Sequence, residues 1–173
     1  MAGTSSRGNP AMGDVVRSVA VLGLIVLGIF LVGKLVTVTP DNPTSAVDYR
    51  DAARSATDAV SFPVLAPPAL PEGWRATSAR LDDGKVWALG VVTADDDFVG
   101  LHQGTDREDL LDRYGRGTAR GDVTIDGDSW QERRGSKGET VLVRQVGGST
   151  AIVTGTAPRA TVLDFVASLD ASR

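Results

Sequence analysis

The sequence predicts an α+β protein, with one N-terminal transmembrane helix followed by an antiparallel β-sheet domain covered by helices. Three features carry that reading. Val19 to Val38 is an apolar run interrupted only by Lys34. Asp83-Gly84, Asp126-Gly127 and Gly147-Gly148 each separate two strand-like segments, as two-residue hairpin turns do. Two later segments, opening at Thr105 and at Pro158, carry helix starts followed by apolar stripes.

Residues 1–14 contain Gly, Ser and Pro without apolar periodicity and read as a disordered cytoplasmic tail. Residues 15–38 form the expected anchor. Ser18 to Gly33 carries no charge, and twenty helical residues rise about 30 Å, the thickness of a bilayer's hydrocarbon core. Lys34 lies one turn from the end, where its stem lets the ammonium reach headgroups. A cleavable signal peptide needs a shorter apolar region with small residues close behind it, and LVTVTP supplies no such site. Arg7 and Arg17 precede the span, while TPDNPTSAVDY after it holds no basic residue. The expected protein is therefore single-pass in the cytoplasmic membrane, N-terminus inside and C-terminal domain outside.

Residues 39–72 read as a juxtamembrane linker, a helix and a Pro-rich connector. Pro40 and Pro43 end the anchor. Ser45 with Asp48 three residues on has the form of an N-cap, and Ala52, Ala53, Ala56, Ala59 and Val60 share one helical face. Pro63, Pro67, Pro68 and Pro71 then impose an extended connector ending at Gly73-Trp74.

Residues 73–173 are the expected extracytoplasmic domain. RATSARL and KVWALGVV flank the first turn, and FVGLHQ follows an acidic loop, Asp95 to Asp97. Thr105 caps a helix whose Glu108 completes an S/T-x-x-E box. In it Leu110, Leu111 and Tyr114 face inward, Asp109 pairs with Arg113, and Gly115 stops the helix. Short strands at Val123–Ile125 and Ser129–Arg133 surround the second turn, TVLVRQV and STAIVTG the third. Pro158 opens a helix with Val162, Phe165, Val166 and Leu169 on one stripe. Gly104-Thr105 and Gly155-Thr156 stand at matching strand-to-helix junctions, which reads either as an internal pseudo-repeat or as two ordinary junctions.

Composition narrows the function. The chain carries 18 Lys plus Arg and 22 Asp plus Glu; three of the former and one of the latter precede Asp41, leaving 15 and 21, a net of −6. Nucleic acid is set aside as a partner, because its recognition needs a basic face. Zero cysteines remove disulfides, thiol nucleophiles and zinc–thiolate sites. His102 is the one histidine and reads as a structural or surface residue on a strand with Phe98 and Gly100. Gly127-Asp128-Ser129 matches a serine-hydrolase block, but no histidine follows Ser129 to act as its base. Consecutive acids Asp95, Asp96 and Asp97 cannot all face one calcium ion, and Arg120-Gly121-Asp122 reads as chance. Arg113, Arg116 and Arg120 make a locally basic, Gly-rich stretch suited to an anion, without a phosphate-loop motif. Trp74 is expected at the sheet edge with its indole against the core, the alternative being an exposed partner-binding anchor. Trp87 shares a strand face with Leu89 and Val91 and reads as core.

The anchor, FPVLAPPALPEGW, FVGLHQG, IDGDSW and the closing TGTAPRATVLDFVASL together resemble an actinobacterial membrane family, domain-of-unknown-function family 4245. Its most specific pieces here are Leu70 to Trp74, Gly127 to Trp130 and Gly155 to Leu169. The resemblance brings no functional residue with it. More loosely, P-x-G-W opening an antiparallel sheet is similar to small exported domains of the PsbP-like type, which implies a non-enzymatic assembly or envelope role. The expectation is a membrane-anchored, non-catalytic binding or assembly module of the cell envelope, with no cofactor, no metal and no catalytic residues. Its partners are the bilayer through the anchor and an envelope protein or lipid. The alternative is a carboxylate-dependent envelope enzyme such as a glycosidase, which needs two acids flanking one cleft.

Overall fold

The computed structural model describes Arg17, Val19, Ala20 and residues 47–172. The expected tail, nearly all of the expected anchor, Lys34 and Ser45 lie outside the described residues. Among the described residues, no helix is long and apolar enough to cross a membrane. The chain divides at Pro43 into two units, and the sheet belongs to the second, Thr44–Arg173.

Helix α1 (Tyr49–Ala59) is capped by Asp48, whose carboxylate accepts the N–H groups of Arg50 and Asp51. The cap of this helix is Asp48, the acid of the expected Ser45–Asp48 pair. Tyr49, Ala53 and Ala56 are buried, whereas Ala59 is exposed, so the inward face runs i, i+4, i+7 from Tyr49.

The Pro-rich connector is more than a spacer. Within it β1 (Val64–Ala66) forms a strand, with Val64 and Leu65 buried. Its partner comes from the far end of the chain, β9 (Asp170–Ser172), in antiparallel register with Leu65 opposite Ala171. Pro71 to Trp74 then makes a turn, Trp74 N–H donating to Pro71 C=O, with Gly73 at φ +79° as the turn's third residue requires.

Seven strands form the main antiparallel sheet. In chain order they are β2 (Arg75–Asp82), β3 (Val86–Val92), β4 (Phe98–Gly104), β5 (Thr118–Ile125), β6 (Asp128–Arg134), β7 (Thr140–Val146) and β8 (Ser149–Gly155). Their spatial order is β2-β3-β4-β8-β7-β6-β5. All three turn signals are realised with positive φ at both central residues, 49° and 65° at Asp83-Gly84, 49° and 84° at Asp126-Gly127, and 52° and 83° at Gly147-Gly148. This is the mirror-image turn whose twist matches paired strands.

One helix stands between β4 and β5 and another follows β8. Helix α2 (Arg107–Arg113) is capped by Asp106, which accepts the Asp109 N–H, so the expected Thr105 cap is displaced by one residue. An aspartate accepts that bond with a full charge, and here it sits at the position a cap requires. Helix α3 (Arg159–Ala167) has Pro158 at its N-cap and buries Val162, Phe165 and Val166.

The two helices lie on opposite faces of the sheet. One face carries Trp87, Leu89, Val91, Val99, Leu101, Leu142 and Val153 into the main core with α1, α3 and β1. The other packs Val141, Val143 and Ile152 against Leu110 of α2. This decides between the two readings of the Gly-Thr junctions. The spacing from Gly104 to Gly155 would equate Leu101 with Ile152, yet these face opposite sides of the sheet. A two-fold repeat between neighbouring antiparallel strands keeps each face on its own side, so the junctions are two ordinary ones.

Candidate functional site

The sequence-predicted site residues do not form one group. Arg113 ends α2 and pairs with Asp109 at 2.8 Å, as the i,i+4 spacing predicts, and that carboxylate raises its pKa. Its guanidinium lines a separate depression with Asp82, Asp83, Lys85, Asp106 and Tyr114. Trp74 is half-buried, its ring stacked on Phe165 at 6.3 Å between centroids. It packs on the rim of the core.

Arg116 and Arg120 do meet, and they meet residues the sequence reading passed over. A wide, open depression of about 720 Å³ is lined by Arg116, Gly117, Thr118 and Arg120 on one side and by Arg134, Gly135, Ser136 and Gly138 on the other. No acid lines it.

Its construction follows from the β5–β6 hairpin. Counting back from Asp126-Gly127, regular pairing puts Gly121 opposite Glu132, and the next step would put Arg120 opposite Arg133. Instead Ala119 faces Arg133 and Thr118 faces Arg134, so Arg120 is the extra residue of a β-bulge. A bulge re-aims the side chain it frees and twists the strand, here at the exposed edge of the sheet. The expected basic loop is thus partly strand. On its inner side Gly117 lies so close to β6 that an added Cβ would stand 2.6 Å from the carbonyl oxygen of Arg134, so only glycine fits. At Gly138 an added Cβ would stand at ordinary contact distance, 3.5 Å, from the Arg134 guanidinium, and it is the positive φ of 93° that favours glycine there.

The neighbouring arginines differ in how they are held. Arg144 forms a two-pronged pair with Asp128 and lies over the Trp130 ring at 5.8 Å. Arg159 holds Glu132 through two bonds of 2.7 Å, and this lowers the Glu132 pKa, with Arg120 adding a smaller field. Arg133 donates to Gly115 C=O at 2.9 Å. Arg116 pairs with Asp112 at 3.2 Å, both side chains three-quarters exposed, a contact worth little in water. Among the described residues, Arg120 and Arg134 take part in no ion pair.

Other chemistry is sparser. Among the described residues no group of three or more His, Asp or Glu is placed to hold a metal ion. Glu132 and Glu139 line one shallow depression, but Glu132 is held ionised by Arg159, the opposite of a proton donor's requirement. His102 stacks flat on Tyr114 at 3.6 Å, and burial lowers its pKa to about 4, against a raising field from Asp82 and a lowering one from Arg80. Asp128 and Ser129 follow the Asp126-Gly127 turn as strand residues, with Asp128 occupied by Arg144.

The signal for Arg134 was present in the sequence. Arg133-Arg134-Gly135-Ser136-Lys137-Gly138 is as basic and Gly-rich as the stretch around Arg116, and the Asp126-Gly127 turn folds one onto the other. Only the bulge, which has no marker beyond Gly121, hides the meeting of Arg120 with Arg134.

Compared with known proteins, the chain matches one family, described as a protein of unknown function (DUF4245), over residues 7–169. No curated protein matches it.

Proposed function

The chain belongs to the DUF4245 family of proteins of unknown function, and on that premise we propose that it is a non-catalytic binding module of the cell envelope, tethered by its N-terminal apolar segment in the cytoplasmic membrane with the sheet domain outside. The depression lined by Arg116, Arg120 and Arg134 is its binding surface. The observation that carries this reading is the pair Arg120 and Arg134, two arginines without an ion-pair partner among the described residues of an acid-rich chain. No acid lines this depression, and the two acids that share the adjoining one with Arg120 and Arg134, Glu132 and Glu139, are held by Arg159 and by the Lys137 N–H. Cations left available in this way favour an anionic partner and steer it to one end of the sheet.

The tether rests on the apolar run from Val19 to Val38 and the basic residues before it. The absence of turnover rests on how the acids are used. Glu132 is committed to Arg159, Asp109 to Arg113, Asp106 to the start of α2 and Asp128 to Arg144.

A photocrosslinking amino acid in place of Thr118, which lines the depression, tests the reading in intact cells. The expected result is a discrete crosslinked species that disappears when Arg120 and Arg134 are both changed to Gln. No crosslinked species, or one indifferent to those changes, contradicts it.

A further inference from the structure

We infer that the arginine-lined depression is a site for a phosphate ester. This rests on reading the depression as a binding surface and goes on to name the chemistry of what binds there.

Arginines border the site from two facing segments: Arg116, bonded to Asp112, and Arg120 from the stretch that enters β5 and its bulge, and Arg134 from the last position of β6. A single guanidinium fork satisfies a carboxylate, which presents its two oxygens in one plane. Forks facing each other from two walls suit a tetrahedral oxyanion, whose oxygens point apart. The Ser136 hydroxyl lines the same wall and adds a donor that a phosphate oxygen accepts. Glycines at 117, 135 and 138 add no side chains of their own, the Glu139 carboxylate lies against Gly135, and the close approach at Gly117 fixes the two strands that carry Arg120 and Arg134.

Size argues for an ester over the free ion. The depression, about 720 Å³ and open to solvent, leaves room beside a phosphate for the esterifying group. That group contributes little recognition, because the walls are polar and open to water. Binding is accordingly weak and sensitive to ionic strength, as exposed guanidinium contacts are. A soluble sugar or glycerol phosphate and the headgroup of a phospholipid share this chemistry.

The full chain in neutral detergent micelles, at constant ionic strength, is titrated with inorganic phosphate, with glycerol 3-phosphate, and with lysophosphatidylglycerol mixed into the micelle. The amide resonances of Gly117, Gly135 and Gly138 are followed. Saturable shifts are expected, with glycerol 3-phosphate binding at least as tightly as phosphate. Arg120→Gln and Arg134→Gln should each weaken binding about tenfold, the loss of one charge-assisted hydrogen bond. Arg120→Lys, which keeps the charge and loses the fork, should fall between. Unchanged amide positions elsewhere in the spectrum certify that each variant is folded. Saturation by the lipid at the lower concentration assigns the headgroup as the source, and saturation by glycerol 3-phosphate first assigns the soluble ester. No saturable shift with any of the three probes overturns the inference, as does binding that both Gln variants retain in full. If phosphate binding fails while the Thr118 crosslinks persist, the ligand class is wrong and the binding surface stands; if both fail, the surface is wrong as well.

Discussion

Trp87 and Gln103 face each other across β3 and β4, and between them they satisfy both backbone polar groups of Leu65. Gln103 Oε1 accepts the Leu65 N–H at 2.9 Å, and Trp87 Nε1–H donates to the Leu65 carbonyl at 2.9 Å. Gln103 also donates to Pro63 C=O at 2.7 Å and to the Ser149 hydroxyl at 2.9 Å. Two side chains thus do for β1 what a neighbouring strand's backbone would do. Both are fully buried, and Leu65 and Ser149 are buried too, so the bonds to these two are cut off from water, while Pro63 is partly exposed.

Gln103→Leu should therefore cost far more than a change of shape. It leaves the Leu65 N–H buried without a partner, at about 1–3 kcal/mol, and removes the donor to the partly exposed Pro63 carbonyl, at about 0.5–1.5 kcal/mol. The expected loss in denaturant unfolding of the full chain is about 2–4 kcal/mol. Trp87→Phe keeps most of the ring and removes one donor, and should lose about 1–3 kcal/mol. A Gln103→Leu chain as stable as wild type would show that β1 is not held in this way.

Trp74→Ala should destabilise, but less than a core tryptophan would. Trp74 is half-buried and rests on Phe165, whereas Trp87 is fully enclosed. Removing an enclosed aromatic typically costs about 3–5 kcal/mol, and the rim position should give about half of that. Parallel thermal melts of Trp74→Ala and Trp87→Ala check the ranking, and equal or inverted losses would contradict it.

His102 makes stability depend on pH in a window of its own. Burial depresses its pKa to about 4 from 6.5, so the folded state binds fewer protons than the unfolded chain between those values. Stability from this group is complete above the unfolded value and is lost as pH falls toward the folded one, by up to about 3 kcal/mol. His102→Phe preserves a flat ring against Tyr114 and removes the proton. Unfolding free energies at pH 7 and pH 4.5 should differ less in this variant than in wild type, and the His102 ring should titrate by NMR near 4. A midpoint near 6.5 would contradict the assignment.

What the sequence showed and what it hid divide along physical lines. Asp83-Gly84, Asp126-Gly127 and Gly147-Gly148 were legible because positive φ at two successive positions selects few residues. The buried stripe of α3 was legible because Val162, Phe165 and Val166 recur at helical spacing. Caps were legible only to within a residue at α2, where Thr105 and Asp106 are adjacent candidates and the geometry of one backbone turn chose the second. The β1–β9 ribbon was not legible. Three residues carry no periodicity, the prolines around Val64 argue for an unpaired connector, and the partner lies more than a hundred residues away. The site was half legible: Arg116 and Arg120 stand out by composition, Arg113 was drawn off by Asp109, and Arg134 joined through a bulge.

Ser136 lines the depression and is exposed, and the chain has no cysteine, so Ser136→Cys places one reporter thiol in the proposed binding surface. A membrane-impermeant maleimide applied to intact cells then measures whether that surface faces outward from the cytoplasmic membrane. The account predicts labelling in intact cells to the same extent as after lysis. Labelling that appears only after lysis would place the domain inside and contradict it.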